Sequence, residues 1–409
     1  MKIFKILAVA LVAMLGFTAC DKECGHDFIE YDHSKDLVGT WTCLTENYAE
    51  ALIINADGSA VSYGVENGEY WEGVKGNIKT VNNKMTMTFE DDDNWEGRFE
   101  MVAGVAFTIY EENGESFTFR YCANDLADEV VGMWVCHEGL PGEENDMAIK
   151  TYSEDGKYSL TTEATSYIPQ DVVMVSADYT IVGDLLFMRV APQCLAARLA
   201  YTPNGNTLGD ILTETLYAPS ENGTVYLTSS WLRIKQYLEL PGMKYDYIKT
   251  FVSNVKGLDK DIEFMGTTFN FAKMDGVKLD KMLKTLLFTV EFPTADSIKY
   301  SCHYNGEYMA LTAPIAVDGN KMTVKMSEKN AALKDVDLYT FQDQDNTQMH
   351  MYMHSTAFVN FFGNMQVTIM EQLGQLDTTD EAAVKAVFDS IDDAVETINV
   401  SFVMKKAAK

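Results

Sequence analysis

Basic residues are scarce in this chain. Thirty-two lysines and arginines stand against 61 aspartates and glutamates, leaving a formal charge of −29 over 409 residues. Phosphate backbones are held by clustered Lys and Arg, so a nucleic-acid partner is not expected. Histidine is also sparse, with six in all. No Gly-x-Ser-x-Gly elbow, His-Glu-x-x-His helix or phosphate-binding glycine loop occurs. Acidic residues are so common that no two carboxylates stand out as an acid/base couple. The expectation is a protein that is not an enzyme and needs no cofactor. Past the N-terminus no apolar run approaches the ~20 residues of a membrane-spanning helix. What is present is a 47% apolar composition, enough to fill cores in about two to four domains.

The N-terminus carries its own message. Met1 to Lys5 holds two lysines, Ile6 to Phe17 is apolar apart from Gly16, and Thr18-Ala19 precedes Cys20. That order of charge, apolar run and small residues is that of a secretory signal peptide. The small pair before Cys20 resembles the lipobox of bacterial lipoproteins, with Phe17 where those boxes usually carry Leu. The resemblance implies a lipoprotein signal peptide over 1–19, acylation (palmitate) of Cys20, and a tether over 20–35. Loss of Lys2 and Lys5 takes the mature charge to −31, a body that anionic lipid repels. Membrane contact is therefore expected through the lipidated N-terminus alone. Asp21-Lys22-Glu23 resembles the tract that follows this cysteine in surface-exported lipoproteins of Bacteroidetes. The expected location is the cell envelope, as an outer-membrane lipoprotein.

A repeat runs through the rest. Leu37-Val38-Gly39-Thr40-Trp41-Thr42-Cys43 returns as Val130-Val131-Gly132-Met133-Trp134-Val135-Cys136, 93 residues later. Each copy is followed by an Asp-Gly turn, Asp57-Gly58 and Asp155-Gly156, of the kind that suits tight hairpins. A third copy shows elsewhere: Asn67-Gly68-Glu69-Tyr70 returns as Asn305-Gly306-Glu307-Tyr308. Asn83-Lys84-Met85-Thr86 and Asn320-Lys321-Met322-Thr323 follow at spacings of 16 and 15 residues. Ala56-Asp57 and Ala295-Asp296 precede them. The third copy lacks a Gly-x-Trp opening, and Gly266-Thr267-Thr268-Phe269 is the nearest candidate. Period-two alternation, as in Met85, Met87 and Phe89 or Phe117, Phe119 and Tyr121, places one set inside and the other in water. Many short strands with turn signals favour barrels or sandwiches.

Gly-x-Trp near the first strand of small meander modules, behind a lipid anchor, resembles the lipocalin and calycin group. It is most similar to the lipocalin-like domains of Bacteroidetes lipoproteins. The fold class expected is mainly β: tandem small antiparallel β-barrels, lipocalin/calycin-like, over 36–123, 128–240 and 247–405. The last carries a helical insertion. The resemblance implies that Trp41 and Trp134 plug one end of their barrels. Its usual arginine partner cannot be assigned, Arg120 being a guess in the first module. Thr378-Thr379-Asp380-Glu381 reads as a capped helix start, with helical spacing from Ala383 to about residue 397. Val359–Gln372 is open between helix and strand. These helices would pack across a barrel mouth or form a lid.

Several constellations invite chemistry. In an extended Met349–His354 the three methionines face one way and His350, Tyr352 and His354 the other. Two imidazoles suit copper or zinc, but no further ligand is supplied, so His350 and His354 are weak metal candidates. Inward methionines with a polar face in water are the simpler expectation. Glu90–Asn94 offers oxygen donors without an EF-hand spacing. Tyr70, Trp71 and Trp95 are candidates for a ligand-stacking platform. Cys43 and Cys122 fall in the first and last strands of one module, where a bridge would be possible; equally, Cys43 and Cys136 hold one repeat position as small buried residues. Asp296-Ser297-Ile298, Asp377-Thr378-Thr379 and Asp389-Ser390-Ile391 resemble O-glycosylation sites of Bacteroidetes.

The function expected is non-catalytic binding of a small apolar molecule or a glycan. The rival is a structural or accessory surface protein that contacts other proteins and has no cavity. Module three, with its helices, is the place where an opening is expected.

Overall fold

The period-two pattern closes on itself three times. A computed structural model describes residues 31–90, 94–136, 148–162, 172–203, 210–220, 223–264, 267–273 and 276–408. The signal peptide, Cys20, Cys24 and the centre of the acidic run after Glu90 lie outside the described residues. No described helix is long and apolar enough to cross a membrane.

The first barrel is a plain meander of eight antiparallel strands: β1 (Gly39–Leu44), β2 (Tyr48–Ile54), β3 (Ser59–Glu66), β4 (Glu69–Val81), β5 (Lys84–Phe89), β6 (Asn94–Val102), β7 (Ala106–Tyr110) and β8 (Ser116–Cys122). β8 returns to β1 with Thr40 opposite Cys122, which leaves no open edge. A short helix, α1 (Ala127–Val130), leads into the second barrel. That barrel runs β9 (Gly132–Cys136), β10 (Ala148–Tyr152), β11 (Lys157–Thr162), β12 (Val172–Val182), β13 (Leu185–Val190), β14 (Gln193–Thr202), β15 (Ile211–Ser220) and β16 (Gly223–Ile234), with β16 closing on β9.

The third barrel opens with β17 (Met243–Gly257). Before its second strand the chain makes a separate two-stranded ribbon, β18 (Asp261–Phe264) and β19 (Thr267–Asn270), and a helix, α2 (Gly276–Thr285). The expectation that Thr267-Thr268-Phe269 open this module is corrected: they pair only with β18. The barrel continues with β20 (Thr289–Thr294), β21 (Ser297–Tyr304), β22 (Glu307–Asp318), β23 (Lys321–Val324), a turn of helix α3 (Met326–Lys329), β24 (Val336–Gln342) and β25 (Gln348–Met353). Then come α4 (Ser355–Gln372), α5 (Glu381–Asp392) and the closing strand β26 (Val395–Lys406). The segment left open between helix and strand is helical, as α4. Asp380 caps α5 by accepting from the Ala382 and Ala383 amides, each at 3.1 Å. α5 stops at Asp392, short of residue 397, because Val395 onward pairs with β17.

The repeat signals fall at equivalent turns. Asp57-Gly58 and Asp155-Gly156 each join the second and third strands of their barrels. Asn67-Gly68 and Asn305-Gly306 join the third and fourth, with φ of 49° and 88° in one and 51° and 85° in the other. Two left-handed residues in a two-residue loop match the strand twist, and Asn-Gly tolerates that conformation best.

Trp41 and Trp134 are fully buried. Each indole Nε1 donates to the carbonyl four residues earlier, Leu37 at 2.6 Å and Val130 at 2.8 Å. In the second barrel the Arg233 guanidinium lies over Trp134, 4.6 Å from the ring centroid. The register position of Arg233 is filled in the first barrel by Tyr121, which meets Trp41 edge-on at 5.2 Å. Arg120, the residue guessed for that role, is one position away and exposed on the opposite face.

Neighbouring barrels bury their outer faces against each other. Ala49 and Ala51 on β2 pack with Val182, Leu185 and Phe187 of the second barrel, and Arg198 donates to Thr42 Oγ1 at 3.1 Å. Leu232 and Ile234 on β16 meet Tyr339, Phe341 and Tyr352 of the third. Gln342 fixes the approach, taking a bond from the Glu239 amide at 2.6 Å and giving one to its carbonyl at 2.9 Å. This overturns one expectation. Met349, Met351 and Met353 do line the third core, but the other face of β25 is not in water. His350 is only 2% exposed and Tyr352 6%.

Cys43, Cys122, Cys194 and Cys302 are free thiols. β1 and β8 are neighbours, yet Cys122 stands opposite Thr40 rather than Cys43, so the possible bridge does not form. Burial, then the Glu50 carboxylate, pushes the Cys43 thiol up to about 12, which leaves it a small inert core group.

Candidate functional site

Inward positions of the first barrel change character along its axis. Around Trp41 they are large and apolar: Leu52, Phe99, Phe107 and Phe119 fill this end, with Phe107 and Phe119 stacked at 4.8 Å. Toward the β3–β4 and β7–β8 turns they include glycines. Gly64, Gly76 and Gly97 face inward, and each lies under an aromatic ring: a Cβ there would collide with Trp71, Phe89 and Trp95 respectively. The rings therefore lie flat along the wall instead of reaching across the axis. The result is a cavity of about 720 Å³, within the range of small-molecule sites.

The polar groups in it are few and ordered. Glu50 sits on the inward phase of β2 and is 7% exposed. The Tyr48 hydroxyl donates to one of its carboxylate oxygens, and Ser62 Oγ donates to the other at 2.6 Å. Ser62 in turn accepts from the Trp71 indole at 2.7 Å. Burial, reinforced by the Glu50 charge, holds the Tyr48 phenol protonated far above its ordinary range. The chain of bonds thus fixes the Trp71 ring and the carboxylate in one geometry. At the mouth stand Glu66, Glu69, Glu111 and Glu115.

Of the three aromatics singled out in the sequence, Trp71 and Trp95 both line this cavity. Tyr70 contributes to the wall, but its ring turns outward onto Phe187 at 5.8 Å and beneath Arg189 of the second barrel. Strand alternation separates it from Trp71. Glu50, Ser62, Tyr48, Phe89 and Phe117 were not singled out. The available signal was Tyr48-x-Glu50-x-Leu52-x-Ile54, in which a carboxylate shares the phase of three inward residues.

Among the described residues, large side chains occupy much of the other two interiors. In the second barrel Lys150 and Glu214 form a buried ion pair, with the Tyr152 hydroxyl on the remaining carboxylate oxygen at 2.5 Å. The Lys150 ammonium rests on the Trp231 ring, 3.9 Å from its centroid. In the third, Phe361 of α4 reaches Tyr300 at 5.3 Å and Phe402 at 5.8 Å. α4 and α5 pack closely at Gly363, where a Cβ would strike Phe388. Beside α4 the third barrel keeps a void of only about 50 Å³. α4 and α5 plug this mouth, but the expected opening in the third module is present beside α2, a cleft of about 720 Å³ lined by Thr268, Lys278, Lys281, Met282, His303 and Tyr304. The first barrel's cavity matches it in volume and is walled by aromatic rings and carboxylates.

Among the described residues no group of three His, Cys, Asp or Glu is placed to hold a metal. His350 is enclosed at the junction of the second and third barrels, and a His354 ring nitrogen lies 3.0 Å from Asn399 Oδ1. The acidic run at Glu90–Asn94 falls largely outside the described residues.

No protein-family model matches the chain, and no curated protein does. Among solved structures, intact Ap-TbpB with its N and C lobes aligns with 88% of this chain and 67% of its own, at 8% identity and a TM-score of 0.24. Transferrin Binding Protein B from Haemophilus parasuis Hp5, a vaccine antigen in a single-residue mutant form, aligns with 88% and 66%, at 10% identity and 0.24. This chain thus spans about two thirds of their length. At that TM-score nothing about their partners transfers.

Proposed function

We propose that this is a lipid-anchored lipoprotein of the cell envelope whose first, lipocalin-like barrel binds a small molecule without transforming it. The observation that carries the reading is the cavity of about 720 Å³ walled by flat aromatic rings over inward glycines. An apolar body in contact with Trp71, Trp95 and Phe117 would leave water with much of its surface. A spacer role does not account for a chamber lined by aromatic rings and glutamates. The Glu50 carboxylate is held by the Tyr48 and Ser62 hydroxyls, an arrangement suited to fixing a bound ligand.

The test is titration of the folded chain with N-phenyl-1-naphthylamine, a neutral apolar fluorophore. Binding should brighten the probe and quench tryptophan emission, and Trp71→Ala should weaken it about tenfold, a loss of roughly 1.4 kcal/mol. A folded chain that leaves the probe dark would overturn the reading. The anchor is tested separately. Cys20→Ser should move the protein from the detergent phase to the aqueous phase, because acyl chains at that residue would supply its membrane affinity. An unchanged partition would sink the anchor.

A further inference from the structure

We infer that the ligand of the first barrel is an organic cation, an ammonium carried on an apolar or aromatic body. The inference rests on the binding reading above and narrows it. Among the described residues five glutamates line the cavity, Glu50 at depth and Glu66, Glu69, Glu111 and Glu115 at the mouth, and no lysine, arginine or histidine does. A concave, low-dielectric wall of one sign concentrates the opposite charge. The faces of Trp71 and Trp95 add to this, since an aromatic ring presents negative potential to a group above it. Fatty acids, acidic sugars and phosphates would be repelled from such a mouth. A neutral glycan would gain nothing from the carboxylates.

The same scaffold already shows how it holds an ammonium. In the second barrel the charge of Lys150 sits on the Trp231 face and against Glu214, whose other oxygen takes the Tyr152 hydroxyl. The first barrel assembles the same set of groups: a buried carboxylate, a tyrosine hydroxyl on one of its oxygens, and an indole tied to it through Ser62. There the set borders open volume instead of a lysine stem. Cation on indole, beside a hydrogen-bonded carboxylate, is thus a combination that this chain buries elsewhere from its own residues.

Benzyltrimethylammonium and its uncharged carbon isostere, neopentylbenzene, differ in charge at nearly constant shape. Each is titrated against the full chain loaded with N-phenyl-1-naphthylamine, with phenylacetate and calcium chloride alongside. The cation should displace the fluorophore at least tenfold more effectively than the isostere, phenylacetate should not compete, and Glu50→Gln should shrink the cation's advantage at least tenfold. Equal displacement by cation and isostere, or displacement by phenylacetate, overturns the inference while leaving the binding reading standing. Displacement by micromolar calcium overturns it in favour of an inorganic ion. If the fluorophore itself never binds, the binding reading fails, and the inference with it. A melting profile of Glu50→Gln matching the parent shows that a lost preference is not lost folding.

Discussion

Glu214→Gln should destabilise the second barrel by about 3–5 kcal/mol, because it leaves the Lys150 ammonium buried without its counter-charge. Lys150 is 7% exposed and Glu214 1%, so water cannot compensate either one. Lys150→Met should cost a similar amount, stranding a carboxylate that only Tyr152 then satisfies. The double variant Lys150→Met/Glu214→Leu should recover most of the loss, since two apolar groups of similar volume need no partners and avoid the desolvation of two charges. Urea unfolding followed by tryptophan emission is suited to this cycle, as Trp231 lies directly under the ammonium. Additive losses in the double variant would show that the two groups act independently and would refute the coupling.

Trp41→Ala should cost the first barrel about 3–5 kcal/mol, the usual toll for removing a buried indole. Against a domain stability of roughly 5–15 kcal/mol that is enough to unfold part of the population. The buried ring meets Phe107 at 5.1 Å and Tyr121 at 5.2 Å, and ties down Leu37. Trp41→Phe keeps most of the volume and drops the bond to Leu37, so it should lose about 1 kcal/mol for that bond and a smaller share of the packing. Thermal melting separates the two. An alanine variant that melts with the parent would remove Trp41 from the core.

The strands and their triplication were legible because they depend on local chemistry. Asn67-Gly68 and Asn305-Gly306 are read from the left-handed conformation that their turns demand, and Met85-x-Met87 from a two-residue period. The first strand of the third barrel was not legible, because no tryptophan marks β17 and a ribbon and helix are inserted before its partner. The outer faces were misread for a physical reason. Alternation assigns Met351 and Tyr352 to opposite sides of β25, but whether the outer side meets water depends on a neighbouring barrel that the local pattern does not encode. The cavity was half visible. Trp71 and Trp95 drew notice as aromatics, while Glu50 was one acid among 61. What separates a filled interior from an open one is the pairing of Gly64 with Trp71 and Gly97 with Trp95. The first crosses from strand to strand, and sequence spacing alone does not reveal it.

The room inside the first barrel is made by absent side chains, and this has a bearing on how such a receptor changes. Adding one methyl group at Gly64 or Gly97 would tip a ring toward the axis while the inter-strand ladder kept its register, whereas at Gly76 it would also strike the Thr88 carbonyl of the neighbouring strand. Capacity is therefore adjustable in single mutational steps, independently of the architecture. A lineage carrying this scaffold can widen, narrow or shut its chamber without having to invent a new fold.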